Sequence, residues 1–583
     1  MRKKKILLLL IILLAACLRL YRLGSYPALN ADEAAIGYNA YSLIETGNDE
    51  HGNSWPVHFQ SFNDYKPGLY FYLVLPFVKF FGLNEWSVRL PNALLGVATV
   101  YLVYLLVKEL FDGRFAQMKE RIDADGMALI AALMLAISPW HIHFSRGGWE
   151  VNTATFFIIW GVYLFIKWIK TASHPELISG SSENISKNGK LKQVQHDKFL
   201  FFSFLVFSLS LYTYHAARVV VPLVGFGMAV IYWEGIKNNL KTIFIAGLIG
   251  VLLLAPLVKD FTKGEIASRA AGVGLFADTG PIARINEQRG EHADFRGLFP
   301  IVMHNKPVNY GLVFIENISK HFHGEFLFLS GDVIERNKVP ETGQMYPFDL
   351  VLLLIGFTFI VLRWGKSKSD DRSWLVILWW LIVASTAAAL TFQSPHALRA
   401  QNMVIPLVII SAYGMVNIVL WLHSYRNKKI LVPGIFLLGV LVFWSFARYE
   451  HMYWTHMAKE YPFSSQYGVK ELVDYVSGIN EKYEKVVVTT TYDQPYILFL
   501  FYLKYPPETF QNNHFLTGQD NYGFSTVGKF DKFVFKQIDW GADKLVYRNS
   551  LIVGTDDEIP PEANIIERIY GTNGHMYFEI VAN

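Results

Sequence analysis

The chain has 583 residues, 52% of them hydrophobic and only 17% charged, a composition that excludes an ordinary soluble protein. Its formal net charge of +4 at pH 7 provides no basic surplus for a nucleic-acid partner. The single cysteine, Cys17, lies in the first apolar run and excludes a disulfide framework. Apolar runs of about 20 residues predict a polytopic α-helical membrane protein.

The amino-terminal segment begins with Arg2 to Lys5 and continues as an apolar run from Ile6 to Leu20. This order resembles a signal peptide, but no small-x-small cleavage site precedes a soluble domain, and many more apolar runs follow. We interpret the segment as an uncleaved first span whose basic end lies in the cytoplasm.

The next stretch, from Pro27 to Tyr41, carries two adjacent carboxylates, Asp32 and Glu33. Apolar residues repeat on one helical face, and Asn30 is suited to cap the helix, so the pattern predicts a short amphipathic helix. Asn30 and Glu33 also fit a capping box, and the helix dipole favours acidic residues in the first turn. The two acids therefore have a purely structural alternative.

Lysine and arginine clusters between the apolar runs predict about eleven spans, with the amino end cytoplasmic and the carboxyl end outside. The predicted spans are 6–20, 88–107, 127–144, 151–169, 199–212, 219–233, 242–258, 349–362, 374–391, 403–422 and 430–446. This topology creates a first outer loop at 22–87 and a long outer loop at 259–346. The semi-apolar segment 66–81 could span by composition, but the charge bias that follows favours a segment lying along the membrane surface or re-entering it.

Residues 1–447 thus form a membrane module, and residues 448–583 are predicted to form a small external α/β domain. A helix is predicted over 467–482, and strands over 485–491, 533–538, 544–547, 551–553, 565–569 and 576–581. This domain has neither a Gly-x-Gly-x-x-Gly motif nor a P-loop, so nucleotide binding is not supported. A lid or packing role over the membrane module is the favoured interpretation.

Unusual polar residues fall at the outer ends of the spans. They are Asp32, Glu33 and Lys66; Arg146, Glu150 and Asn152; Tyr212, Tyr214, His215 and Arg218; His321, His323, Glu325 and Asp332; and His396 and Arg399. Ionisable groups gathered at one face of a helical membrane protein predict a functional site.

Several of these residues have simpler explanations. Arg218 and Arg399 would suit snorkelling at the interface, and Glu150 would suit a helix cap. His321 and His323 could ligate zinc, but residues two apart on a helix point in different directions, and the sequence offers neither a cysteine nor a Glu-x-x-His partner.

The joint pattern suits group transfer from an anionic lipid carrier. A polyprenyl phosphate needs cations that bind its phosphate and stabilise its departure; Lys66, Arg218 and Arg399 are candidates, with His396 as a further donor. An acceptor hydroxyl needs a carboxylate to take its proton, for which Asp32 is the first choice.

Glu33 would then orient Asp32 or bind an acceptor hydroxyl. Because adjacent helical residues diverge by about 100°, the two acids are not expected to face one bond as a glycosidase pair does. This argument disfavours hydrolysis and favours one base acting in one displacement.

Several short motifs together resemble the C-type glycosyltransferases that use lipid-phosphate sugars, specifically the protein O-mannosyltransferase and aminoarabinose transferase group. The motifs are the Asp32-Glu33 pair after the first span, Lys66-Pro67, Arg89-Leu90-Pro91 opening the second span, Ser145-Arg146 and Pro395-His396-Ala397-Leu398-Arg399 after the long loop. The resemblance covers roughly 1–446.

That resemblance implies that Asp32 is the catalytic base, that Lys66 contacts the carrier phosphate, and that surface helices occupy the first outer loop. It implies inverting transfer of one sugar from a polyprenyl phosphate to an acceptor outside the cytoplasm, with the protein in the plasma membrane. The family usually has an aspartate after the Ser-Arg turn, where this chain has Glu150 and Asn152. The second-loop acid and any divalent metal, the one cofactor considered, therefore stay open.

Two other functions fit parts of the pattern. A flippase or transporter for lipid-linked sugars would show paired, interrupted helices in repeated halves, which this sequence lacks. A glycan ligase or polymerase with a lipid-diphosphate donor would share the outer cations. The sequence does not specify the sugar, nor whether the acceptor is a lipid, a protein or a glycan.

Overall fold

The computed structural model describes residues 2–62, 64–111, 124–172, 185–262, 272–366, 368–424, 428–518 and 525–583. Parts of the predicted inner loops (112–121, 173–184, Ser367 and Arg426), together with 263–271 of the long outer loop, lie outside these residues. The helices are α1 (Arg2–Leu20), α2 (Ala31–Thr46), α3 (Leu69–Phe81), α4 (Glu85–Phe111), α5 (Ala124–Ile137), α6 (Pro139–Ser145), α7 (Glu150–Ala172), α8 (Ile185–Leu211), α9 (Ala217–Ile231), α10 (Trp233–Lys237), α11 (Leu240–Leu253), α12 (Ala255–Phe261), α13 (Gly280–Gly290), α14 (Leu298–Met303), α15 (Lys306–Lys320), α16 (Pro347–Arg363), α17 (Lys368–Ala389), α18 (Val404–Ser424), α19 (Lys428–His451), α20 (Met457–Glu460), α21 (Val469–Ile479), α22 (Pro495–Leu503), α23 (Pro507–Asn512) and α24 (Trp540–Val546).

The strands form a hairpin and a larger sheet. The hairpin pairs β1 (His58–Ser61) with β2 (Asp64–Pro67). The larger sheet contains β3 (Lys485–Val488), β4 (His514–Leu516), β5 (Val527–Phe530), β6 (Phe533–Phe535), β7 (Ser550–Gly554), β8 (Ile565–Tyr570) and β9 (Met576–Ala582). Its spatial order is β4-β5-β6-β3-β7-β9-β8.

The chain divides into two compact units. The first unit contains 1–19, 94–145 and 150–449, and the second contains 20–93, 146–149 and 450–583. Residues 450–583 therefore belong to one unit with the whole range of the predicted first outer loop, 22–87. One edge of this division, between 449 and 450, lies two residues from the boundary predicted between 447 and 448. The assignment of 448–583 as a separate domain stays a prediction.

The first unit is a membrane-protein-like set of apolar helices. Among the described residues, five helices are long and apolar enough to cross a membrane: Glu85–Phe111, Glu150–Thr171, Asp371–Ala389, Gln401–Ser424 and Leu431–Glu460. Two bent helix pairs, α5 with α6 and α11 with α12, raise the number to seven if each counts as one span. A helix occupies each of the eleven predicted positions, but the count of eleven spans is not confirmed.

Helices in this unit approach closely where side chains are small. A Cβ atom added to Gly414 of α18 would lie 2.0 Å from the carbonyl oxygen of Leu352, and one added to Gly356 of α16 would lie 2.5 Å from that of Ile410. These contacts bring the two helices together backbone to backbone, as small residues do in membrane helix pairs.

The second unit is built around α2, which packs against α3 and α22. Its buried face joins a core that includes Tyr38, Phe71, Val486 and Leu498. A Cβ atom on Gly37 would lie 2.6 Å from the ring of Phe501, so the absence of a side chain allows this approach. The helix that carries the two acids is thus fixed by apolar packing on one face.

Strand β3 lies at the centre of the larger sheet, parallel to both β6 and β7. Its residues Val486 to Val488 are fully buried, which explains why this segment reads as a continuous apolar run rather than an alternating one. The strands predicted at 485–491, 533–538, 551–553, 565–569 and 576–581 are present with shifted ends, and a helix lies within 467–482.

The strand predicted over 544–547 is wrong, because these residues end and follow helix α24. Asp539 caps that helix by accepting a hydrogen bond from the backbone N–H of Ala542 at 3.2 Å. A local cap therefore outweighs the weak strand pattern.

The segment 66–81 divides between β2 and α3. Helix α3 has 13 residues, about 20 Å at 1.5 Å per residue, which is too short to cross a hydrocarbon core of about 30 Å. Its placement along the membrane surface stays a prediction.

Candidate active site

Asp32 and Lys66 form an ion pair within the second unit. Asp32 lies in the first turn of α2 and Lys66 lies on β2, with 2.5 Å between the lysine Nζ and the aspartate Oδ1. The Asp32 side chain is 28% exposed and that of Lys66 is 9% exposed. Lys66 also lies 5.3 Å from the ring centre of Phe62. A cation is thus held beside a carboxylate that water still reaches.

Glu33 is buried and occupies a different environment. Its two oxygens accept hydrogen bonds from the Nε and Nη2 of Arg89, each at 2.7 Å, in a bidentate pair. The backbone N–H of Gly148 donates to the same carboxylate at 2.7 Å. Asn30 completes the predicted capping box at the start of α2. Glu33 therefore fixes the helix start to two distant segments.

Arg89 is also fully engaged. Beyond Glu33, its guanidinium donates to the carbonyl oxygens of Leu23, Pro27 and Ala28 at 2.9 to 3.0 Å. The segment that leads into α2 is thus held by one buried arginine. Asp32 and Glu33 face separate partner sets, as expected for neighbours on a helix.

Arg146 begins the short segment that the second unit takes from the Ser-Arg-Gly-Gly motif. Its Nε donates to the hydroxyl of Tyr453 at 2.9 Å, its Nη2 donates to the carbonyl of Tyr21 at 2.8 Å, and its guanidinium lies 4.8 Å from the ring centre of Trp454. Arg146, one of the polar residues of the predicted site, is therefore buried in contacts that hold the segment in place.

Gly148, two residues later, brings its backbone close to Glu33. A Cβ atom at this position would lie 3.1 Å from Cγ1 of Val88 and 3.3 Å from Cγ of Glu33. A side chain here would crowd the backbone N–H that donates to Glu33. This close approach explains why the motif has a glycine at position 148.

The other predicted site residues belong to the first unit. Asn152, in the first turn of α7, accepts a hydrogen bond from Gln401 at 3.2 Å, and Glu150 begins the same helix and is largely buried. Arg218 donates to the carbonyl of Leu211 at 3.2 Å and lies 4.9 Å from the ring of Phe261.

His321, Asp332, His396 and the backbone of Ala397 form what we call the long-loop cluster. His321 has a carbonyl, that of Asn317, 2.7 Å from Nδ1, and the backbone N–H of His396 donates to its Nε2 at 3.1 Å. A carbonyl only accepts and a backbone N–H only donates, so His321 is neutral with its proton on Nδ1. Burial lowers the pKa of His321 to about 4.

Asp332 accepts hydrogen bonds from the backbone N–H groups of Ala397 at 2.6 Å and Ile334 at 3.0 Å. Burial raises the pKa of Asp332, and those hydrogen bonds oppose the increase. The Nδ1 of His396 lies 3.9 Å from the same carboxylate. The cluster thus joins the long loop to the segment after α17.

Three further predicted residues lie in the same two segments of the chain. His323 is exposed, Glu325 accepts a hydrogen bond from Ser330, and Arg399 donates to the hydroxyl of Thr391 at 2.8 Å. Within the described parts of the chain, no group of three histidine, cysteine or acidic residues is arranged to hold a metal ion.

Sequence reasoning missed two functional-site neighbours. Arg89 was noted only as part of a motif, although an arginine at the start of a span is itself a signal for a buried partner. Gln466 contacts the backbone of Ala31 through its Oε1 at 2.6 Å. No local pattern marks a glutamine that lies 435 residues away in the chain.

Comparisons with known proteins show what the chain is similar to. Residues 9–186 match the family model described as dolichyl-phosphate-mannose-protein mannosyltransferase. A curated relative, YycA of Bacillus subtilis (strain 168), named as a candidate mannosyltransferase, is 30% identical over 105 residues, which are 18% of this chain and 14% of YycA. The alignment thus spans a small part of that relative.

Two solved structures share the fold. The apo structure of ArnT from Cupriavidus metallidurans has a TM-score of 0.52 and 14% identity, with 98% of this chain and 97% of ArnT covered. The oligosaccharyltransferase AglB from Archaeoglobus fulgidus, in complex with an inhibitory peptide and a dolichol-phosphate, has a TM-score of 0.52 and 13% identity, with 95% and 69% covered. In its apo form, 63% of that enzyme is covered.

The family-model match and the shared fold confirm the resemblance to C-type glycosyltransferases, and they support the prediction of a glycosyltransferase. Residues 9–186 are thus similar to a mannosyltransferase family, and the chain shares its fold with ArnT and AglB.

Proposed function

We propose that this protein is an inverting glycosyltransferase that moves one sugar from a polyprenyl-phosphate donor to an acceptor on the extracytoplasmic side of the plasma membrane. The observation that carries the proposal is the Asp32–Lys66 pair, a base and a phosphate-binding cation in contact at 2.5 Å. The family match over 9–186 supports the same chemistry.

Asp32 acts as the base in a single displacement. The acceptor oxygen attacks the anomeric carbon, its proton passes to the Asp32 carboxylate, and the bond from that carbon to the phosphate oxygen breaks. The polyprenyl phosphate leaves with the bonding electrons. The partial exposure of Asp32 allows an acceptor hydroxyl to reach it.

Lys66 binds the donor phosphate. Its ammonium stabilises the negative charge that grows on the leaving phosphate. In the free protein this charge is balanced by Asp32, so donor binding gives Lys66 a second anionic partner. Asp32 is then freer to bind the acceptor hydroxyl.

Glu33 is a positioning residue rather than a second base. Arg89, Gly148 and Asn30 already contact its carboxylate, and its side chain is only 2% exposed. Its role is to fix the first turn of α2, from which Asp32 projects.

Arg218, Arg399 and His396 are further candidates for donor binding.

The proposal also includes a topology, in which the amino terminus lies in the cytoplasm and residues 448–583 lie outside. A reporter fused after Lys429 should then be cytoplasmic, and one fused after Asn583 should be external. An external reporter after Lys429 and a cytoplasmic one after Asn583 would refute this membrane topology.

The decisive experiment is a transfer assay with purified full-length protein and a panel of polyprenyl-phosphate sugars, with product masses as the measurement. Asp32→Asn should abolish transfer while donor binding and melting temperature stay near those of the unmodified protein. Glu85→Gln is the matched control, because Glu85 forms another lysine pair in the same unit, with Lys470 at 2.7 Å.

Near-normal turnover by Asp32→Asn would refute Asp32 as the base. Activity only with lipid-diphosphate donors would favour a ligase or polymerase instead. Movement of lipid-linked sugar across a vesicle membrane without a new glycosidic bond would favour a flippase or transporter.

A further inference from the structure

A group of aromatic rings lies on one surface of the second unit. The rings of Phe463 and Tyr492 are stacked, with centres 5.3 Å apart and planes 15° apart. The ring centre of the buried Tyr577 lies 4.5 Å from that of Phe463 and 5.7 Å from that of Tyr492, and the ring centre of His575 lies 5.7 Å from that of Phe463. Phe463 is 42% exposed, so one face of this group is open to solvent.

Carboxylates surround this group, which we call the aromatic surface (Phe463, Tyr492, His575 and Tyr577). Asp493 follows Tyr492 in the chain, and Asp556 and Asp557 are exposed. Burial raises the pKa of Tyr492 to about 12, and the charges of Asp556, Glu558 and Asp557 contribute to that increase. These acids therefore lie close enough to act on the tyrosine.

Two hydrogen bonds join this surface to the start of α2. The side chain of Gln466 accepts from the backbone N–H of Ala31 at 2.6 Å, and its amide donates to the carbonyl of Asp493. Ala31 immediately precedes Asp32, and Asp493 immediately follows Tyr492. One glutamine thus connects the proposed base to the aromatic surface.

The backbone at this connection is unusual. Gln466 and Gln494 both have φ of 53°, in the left-handed region that non-glycine residues rarely adopt. Such conformations persist where the surroundings fix them, and they are frequent at binding sites. Gln494 directly follows Asp493.

We propose that the aromatic surface binds the acceptor of the transfer reaction, and that this acceptor is a glycan. Sugar rings present an apolar face of C–H groups that packs on an aromatic ring, and hydroxyl groups around the edge that donate to carboxylates. The aromatic surface supplies both kinds of partner, and Gln466 holds it beside the turn that carries Asp32. This inference rests on the proposed function and specifies its acceptor.

The surrounding acids argue against other occupants. A lipid headgroup phosphate, or the phosphate of the donor, would be repelled by Asp556 and Asp557. A neutral or hydroxyl-rich ring carries no such penalty. An acceptor peptide could also contact the rings, and the experiment below treats it as a competing outcome.

The test measures glycan binding by full-length protein in detergent, without donor, so that it does not depend on catalysis. The probes are mannotetraose and chitotetraose, titrated by saturation-transfer NMR, with a Ser/Thr-rich peptide as the competing probe. Phe463→Ala should weaken binding of at least one glycan about tenfold, and Phe463→Trp should restore it.

Asp557→Asn should weaken the same glycan severalfold. Phe515→Ala is the matched control, since Phe515 is 64% exposed on the edge strand β4 of the same unit, and it should leave binding unchanged. Equal melting temperatures for all variants establish that each one folds.

Two assays separate the inference from the proposed function. If unmodified protein transfers sugar but Phe463→Ala leaves both glycan affinity and acceptor KM unchanged, the inference is refuted and the proposed function stands. If glycan binding depends on Phe463 but no polyprenyl-phosphate sugar is used, the proposed function fails. Phe463-dependent binding of the peptide but of neither glycan would also overturn the inference.

Discussion

In the surroundings of α2, two carboxylates meet two cations, whereas in the long-loop cluster a carboxylate and two imidazoles bind mostly backbone N–H and carbonyl groups. Asp32 and Glu33 each have a charged partner, Lys66 and Arg89. Asp332 instead accepts from two backbone N–H groups, and its nearest imidazole lies 3.9 Å away. Both regions consist of polar residues that the sequence marks as candidates.

This difference distinguishes residues that are expected to act in the reaction from residues that are expected to stabilise the fold. Charge pairs with one water-accessible member can exchange partners when a substrate arrives, but buried groups satisfied by backbone are costly to disturb. We therefore expect changes around Asp32 and Lys66 to affect turnover and donor affinity. Changes at Glu33, Arg89 and His321 should affect stability instead.

The largest expected effect is on folding. Arg89→Ala removes one partner of a buried ion pair and leaves Glu33 uncompensated, which should cost about 3 to 5 kcal/mol of unfolding free energy. Denaturant titration of the purified protein in detergent measures this loss. Unchanged stability would show that the Glu33–Arg89 pair does not hold α2 in place. The distinction between reacting and stabilising residues around α2 would then fail.

His321 should make the long-loop cluster sensitive to acid. Its folded pKa of about 4 lies below the ordinary value of 6.5, so the unfolded chain binds more protons below pH 6.5 and stability falls as pH decreases from about 6.5 to about 4. The contribution is at most about 3 kcal/mol. His321→Gln can donate to Asn317 and accept from His396 without titrating.

The quantity to measure is the difference in melting temperature between the two proteins at pH 7 and at pH 4.5. The unmodified protein should lose more stability over this interval than His321→Gln. Equal losses would mean that His321 does not carry the acid sensitivity, because titration of Asp332 is common to both proteins.

Lys66→Ala should act on the donor. Loss of one charge-assisted contact to phosphate should weaken apparent donor affinity roughly ten- to a hundredfold, while the melting temperature changes little, because Asp32 is already partly hydrated. Titration of polyprenyl phosphate against both proteins measures this change. If donor affinity is unaltered and stability is lost, Lys66 stabilises the fold, as Glu33 and Arg89 do, and does not bind the donor.

The smallest effect is expected at the pair of Glu85 and Lys470, in which the lysine is half-exposed. The Lys470 side chain is 50% exposed, so Glu85→Gln should change unfolding free energy by less than about 1 kcal/mol and leave transfer intact. A loss as large as that of Arg89→Ala would show that burial does not decide the cost of breaking a pair in this unit.

Local signals carried most of what the sequence predicted correctly. The cap at Asn30, the helix that starts at Ala31 and the central strand at Val486 to Val488 depend on neighbours in the chain, and all three are present. The proximity of Asp32 and Lys66 followed from the resemblance and from their shared loop rather than from any period in the sequence.

Contacts between distant segments could not be predicted. Glu33 fits a capping box and also binds Arg89, which lies 56 residues away, and nothing in either neighbourhood specifies the other. Arg146 donates to Tyr453 and to the carbonyl of Tyr21, and no pattern near Arg146 in the sequence specifies either partner. A charged residue shows that a partner exists, but only the fold selects the partner.

The packing of α2 against α22 has a practical consequence for expressing fragments. A protein truncated after residue 447 would retain every proposed catalytic group but lose Gln466, the hydrogen-bond partner of Ala31, and the rings of Tyr496 and Phe501 that cover the helix. The first turn of α2, which carries Asp32, would then belong to a helix whose apolar face is partly uncovered. Protein for assays or for structure determination should therefore keep residues 448–583, because their loss would remove the packing that fixes the helix carrying Asp32.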